Sequence, residues 1–110
     1  MTVADYRRMA LTLPEAIEGA HMNHPDFRVR GKVFATLWPA QNRGVLMLTP
    51  EQQADVSAAH PRVFEPVAGG WGRRGATSLH LEHAAESVVL DAMLLAWRKN
   101  APTSLSAPGG

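Results

Sequence analysis

The stretch from Phe27 to Trp38 constrains the fold of this chain more than any other. Phe27-Arg28-Val29-Arg30 alternates apolar and basic residues, Gly31-Lys32 follows, and Val33-Phe34-Ala35-Thr36-Leu37-Trp38 is rich in β-formers. A period of two sends successive side chains to opposite faces. Two such runs around a glycine-containing pair predict an antiparallel hairpin with Gly31-Lys32 as its turn. That register sets Phe27 and Val29 on one face with Phe34 and Trp38. It places Arg28 and Arg30 on the other, beside Val33, Ala35 and Leu37. An isolated hairpin is marginal in water, so the remainder of the chain must supply more strands and a covering layer.

The flanking segments provide both. Thr2 with Asp5 three residues on has the spacing of a helix N-cap, and Val3, Tyr6, Met9, Ala10 and Leu13 recur at helical steps up to Pro14. Glu15–Met22 is expected to be a short strand. Pro39–Gly44 is a turn, and Val45–Thr49, apolar on both sides, is a central strand. Thr49-Pro50-Glu51 opens a second helix, which runs to about Ala59 with thin apolar cover. Val63-Phe64 is extended, Ala68–Gly72 a loop around Trp71, and Thr77–Leu81 a strand. Glu82–Asn100 is the strongest helix, with Val89, Met93, Ala96 and Trp97 in one stripe. The expected architecture is α+β in two layers: helices on one face of an antiparallel sheet, in the order helix, strands, helix, strands, helix. One domain spans residues 1–102, and 103–110 form a frayed tail.

Several function classes are excluded by what the sequence lacks. Its 110 residues are 45% hydrophobic and 19% charged, the composition of a globular chain, and include no cysteine. Thiol catalysis, disulfides and cysteine-ligated metals therefore do not arise. No apolar run nears the roughly 18 residues of a membrane span, and the N-terminus lacks a signal-peptide layout, so a cytoplasmic protein with no membrane partner is expected. There is no Gly-x-Ser-x-Gly or Ser-x-x-Lys motif, and Gly69-Gly70-Trp71-Gly72 lacks the Gly-Lys-Ser/Thr of a phosphate loop; no enzyme is expected. The histidine pairs His21/His24 and His80/His83 fall in or beside strands, where residues three apart point to opposite faces. Neither metal nor cofactor is expected.

Charge distribution says more than the net charge of +1. Phe27–Pro50 holds Arg28, Arg30, Lys32 and Arg43, and Pro66–Leu81 holds Arg73 and Arg74, with no Asp or Glu in either segment. Those six residues make the sheet side the candidate surface for DNA or another polyanion, bound weakly and without sequence preference, with Trp38 or Trp71 available to stack on bases. The same residues also describe a solvated sheet face whose arginine stems cover apolar atoms. Trp71 reads equally as a plug at the core's edge or as an exposed anchor for a protein partner, which makes a chaperone-like interaction module the alternative.

The segment His21-Met22-Asn23-His24-Pro25-Asp26-Phe27-Arg28-Val29-Arg30-Gly31-Lys32-Val33-Phe34-Ala35-Thr36 resembles the signature of MmcQ/YjbR-like proteins. Gly69-Gly70-Trp71-Gly72-Arg73-Arg74-Gly75-Ala76-Thr77 is similar to that family's glycine-tryptophan loop, and Ala96-Trp97-Arg98 fits its closing helix. The resemblance extends from the first helix to Pro102. It implies a bacterial protein with a compact α+β fold of the secretion-chaperone-like kind. It also implies a DNA-binding label that rests on analogy to a double-wing domain, and no established catalytic residues.

Overall fold

The computed structural model describes residues 1–105, the side chain of His21 excepted. Thr2 and Asp5 form the expected reciprocal cap: Asp5 N donates to Thr2 Oγ1 (3.1 Å) and Thr2 N to Asp5 Oδ2 (3.0 Å), opening α1 (Val3–Leu11). Then come β1 (Ala16–His21), β2 (His24–Val29), β3 (Lys32–Trp38) and β4 (Arg43–Met47). Thr49 caps α2 (Pro50–Ala59) in the same reciprocal way with Gln52. β5 (Phe64–Pro66), the one-turn α3 (Gly70–Arg73), β6 (Ala76–His80) and α4 (Glu86–Asn100) complete the chain. The six strands form one sheet in the order β1-β2-β3-β4-β6-β5, with every neighbouring pair antiparallel. The fold is the expected α+β arrangement, and β4 is indeed interior.

Two details of the central hairpin differ from the sequence expectation. Its turn is Arg30-Gly31, not Gly31-Lys32. Both residues have positive φ (50° and 82°), as a two-residue turn matching the strand twist requires, so Val29 faces Lys32 and Arg28 faces Val33. Beyond that point Phe27 faces Ala35, which leaves Phe34 as an extra residue in a β-bulge. The bulge inverts the phase of β3. Phe34, Ala35 and Leu37 are all buried with Phe27 and Val29, whereas Trp38 leaves with Thr36 for the opposite face.

The buried face meets α1, α2 and α4, where Tyr6, Phe27, Phe34, Phe64 and Trp97 are the largest enclosed side chains. Tyr6 lies against Gly44, where a Cβ would come within 2.6 Å of its ring, and its hydroxyl donates to Val45 O at 3.3 Å. Trp97 Nε1 donates to Pro14 O (3.0 Å), fastening α4 to the corner between α1 and β1. The last helix starts at Glu86 rather than Glu82, because Leu81 is fully buried in a short 3-10 turn whose carbonyl accepts from the Met1 ammonium. Leu105 packs against the core; the rest of the tail, residues 106–110, lies outside the described residues. Among the described residues no helix is long and apolar enough to cross a membrane.

Candidate nucleic-acid interface

The face of the sheet away from α1 and α4 carries Asp26, Arg28, Thr36, Trp38, Arg43 and Met47, strand by strand. It is not the continuous basic surface that the acid-free segments suggested. Arg28 grips Asp26 with two hydrogen bonds (2.9 and 3.0 Å), and Arg30 grips Glu15 in the same fork geometry (2.6 and 3.0 Å). The Arg30 hydrogen bonds hold the Glu15 carboxyl below its ordinary range, and the carboxylates raise both guanidinium values in turn. Asp26 stands one residue before the acid-free segment. Glu15 is brought alongside by the β1–β2 hairpin, whose turn Met22-Asn23 also has positive φ (50° and 68°).

At one end of this face Trp38 is half-buried. Its ring stacks on His24 (centroids 3.5 Å apart), the Arg43 guanidinium lies 5.1 Å from the ring centroid, and its Nε1 donates to Thr36 Oγ1 (3.2 Å). His24 is also the direct cross-strand partner of His21, so these two positions share a face, contrary to the expectation from sequence separation. The His21 side chain lies outside the described residues. His80 and His83 instead contact Glu65 and Glu82 (3.1 and 3.6 Å). Among the described residues no three His, Asp or Glu side chains gather closely enough to hold a metal.

At the other end Trp71 stands in water, 51% exposed. The segment read as a loop is a single helical turn, and two features hold it. Gln53 Nε2, from α2, donates to Gly72 O (2.8 Å) and Ala76 O (3.0 Å). Gly75, at φ +114°, lies so near the Leu48 carbonyl that no Cβ fits. Arg74, Lys99, Trp71 and Met47 line a shallow cavity of about 170 Å³. Partial desolvation lowers the Lys99 pKa, and the nearby Lys32 charge lowers it further. Arg73 is exposed on the same turn as Trp71. Among the described residues Lys32, Arg73, Arg74 and Lys99 make no ion pair. Lys99 was absent from the sequence-derived set. The Arg98-Lys99 pair closing α4 was its only signal, and which strand end it would meet depends on packing.

The YjbR family model matches residues 11–99, which include the hairpin, the Trp71 turn and nearly all of α4. The chain belongs to the YjbR family. No curated protein matches it. This YjbR chain is also similar to a solved structure, a protein of Deinococcus radiodurans carrying the domain designated DUF419. The TM-score is 0.72 at 22% identity, over 99% of this chain and 94% of that one. At that identity the likeness establishes the fold alone.

Proposed function

We propose that this YjbR chain binds nucleic acid through a basic rim at the Trp71 end of the sheet, made by Lys32, Arg73, Arg74 and Lys99, as a binding protein without catalysis. The observation that carries the reading is the convergence of Arg74 and Lys99 on Trp71, with Lys32 close enough to Lys99 to depress its pKa. Like charges repel, so cations gathered without carboxylate partners cost stability that an anion would return. Arg28 and Arg30 have their carboxylates already, and Arg43 lies against Trp38; none of the three is assigned to the rim.

Four phosphate contacts correspond to a slope of log affinity against log salt of about −3 to −4. A fluorescence-anisotropy titration of labelled oligonucleotides from about 50 mM salt upward tests this. Arg74→Gln with Lys99→Gln should flatten the slope by about 2, and Arg30→Gln should leave it unchanged. No detectable binding at the lowest salt, or equal losses in both variants, would discard the reading. The alternative, a protein-interaction module, is supported by exposed Trp71 and by Ile17 on the edge strand β1 (60% exposed). Under it, Trp71→Ala would abolish capture of a partner while nucleic acid fails to bind.

A further inference from the structure

Beneath Trp71, on the open face, lies a second cavity, of about 210 Å³, lined by Asp26, Arg28, Val33, Thr36, Met47 and Trp71. Its composition is divided. Val33, Met47 and the indole give apolar surface, while the Asp26–Arg28 pair and the Thr36 hydroxyl supply polar groups. The volume lies below the roughly 300 Å³ at which pockets for drug-sized ligands begin, so a single small ring system is the fitting occupant.

The polar wall is fixed before any ligand arrives. The Asp26 side chain is only 2% exposed, and Arg28 holds both its oxygens. Gly19, opposite Asp26, places no side chain over the pair; a Cβ there would approach Asp26 Oδ1 to 2.9 Å. A carboxylate oxygen accepts more than one hydrogen bond, and a guanidinium has five N–H groups, of which Arg28 directs two at Asp26. Thr36 Oγ1 accepts from Trp38, which leaves its own hydrogen to donate. Acceptors and donors thus stand side by side next to an exposed indole.

We infer that this cavity takes one unstacked base of a single-stranded nucleic acid. The base packs on Trp71 over Val33 and Met47, and its polar edge meets Asp26, Arg28 and Thr36. The inference rests on the proposed function, since the rim of Lys99 and Arg74 borders the same tryptophan and holds the backbone there. A paired base has both faces stacked and its Watson–Crick edge occupied, so it cannot lie flat on Trp71 and the site selects single strands over duplex.

The test uses the full chain and three labelled probes: a single-stranded DNA, a duplex of the same length, and a DNA-like backbone of abasic residues matched to the single strand in length and charge. The wild type should bind the single strand at least about 5-fold more tightly than the abasic backbone, the lower end of what one base on an aromatic ring contributes. Trp71→Ala should lower single-strand affinity by roughly 5- to 100-fold and leave the abasic probe untouched, while Trp71→Phe retains most of the affinity. Asp26→Asn, checked for folding by circular dichroism, should change which base is preferred in homopolymer competition. Equal binding of the single-stranded and abasic probes would overturn the base pocket and spare the proposed function, as would a Trp71→Ala loss equal on all probes. Failure of every probe to bind would overturn both.

Discussion

The open face of the sheet carries a tryptophan at each end, and the two are held in opposite ways. Trp38 is half-buried and fully partnered: His24 stacks on it, the Arg43 guanidinium lies near its ring, and its indole nitrogen has a partner in Thr36. Trp71 is half in water, on a helical turn fastened from below by Gln53, with cations that lack carboxylate partners around it. Residues of one chemical type thus serve structure at one end of the face and remain available for contact at the other. What separates them is whether neighbouring side chains already satisfy the ring and the nearby charge.

The sharpest way to break that comparison is at the bulge that sets the phase of β3. Phe34→Ala should cost roughly 3–5 kcal/mol, read by chemical denaturation, because Phe34 is fully enclosed and its bulge sends Trp38 to the open face. A loss below about 1 kcal/mol would mean that Phe34 does not carry this packing.

A second cut reaches only the Trp71 end. Gln53→Ala removes two buried hydrogen bonds, to the carbonyls of Gly72 and Ala76, which keep only their backbone donors Gly75 N and Val67 N, and should cost roughly 1–3 kcal/mol. Amide exchange should accelerate first in 70–76 while the β2–β3 hairpin stays protected; uniform acceleration would show that α3 is not separately held.

Exchanging the tryptophans sharpens the contrast. Trp38→Ala should destabilise by about 1–2 kcal/mol through loss of its stacking and cation contacts, with nucleic-acid affinity unchanged. Trp71→Ala should alter the melting free energy by no more than about 0.5 kcal/mol, with affinity reduced. The reverse pairing of effects would exchange the roles of the two ends.

The smallest effect is electrostatic. Glu15 has its folded pKa lowered by Arg30, so its contribution is complete above the ordinary value of 4.5 and is lost as pH falls through the lower folded value. Glu15→Gln should therefore flatten the acid limb of the urea midpoint, and the two proteins should converge at the lowest pH. The pair is exposed, so the separation near neutrality is small. Curves that stay parallel to the acid end would remove the Arg30–Glu15 pair from the account.

The elements themselves were legible because their signals are local. The Thr2 and Thr49 caps, Pro50 at the second helix's first position, the apolar stripe of α4 and the two runs of the hairpin each act within a few residues, and the structure contains them all. The same locality explains the misplacements. A turn one residue earlier moves the register of β3 by two and keeps its phase, whereas a single bulge, an equally small change in chain path, reverses it.

By itself the sequence determined the α+β composition, the starts of the first two helices and the family signature in 21–36 and 69–77. It also contained every cation of the candidate surface. Only the tertiary structure decided which cations are neutralised, since Arg30 meets Glu15 across the β1–β2 strand pair, at the end away from its turn, and Lys99 comes within electrostatic reach of Lys32 across the layers. Hydrogen-bonded caps and periodicities act through nearest neighbours along the chain. Charge compensation and cavity shape act through space, between residues whose separation is fixed only once the sheet register and the packing of α4 are in place.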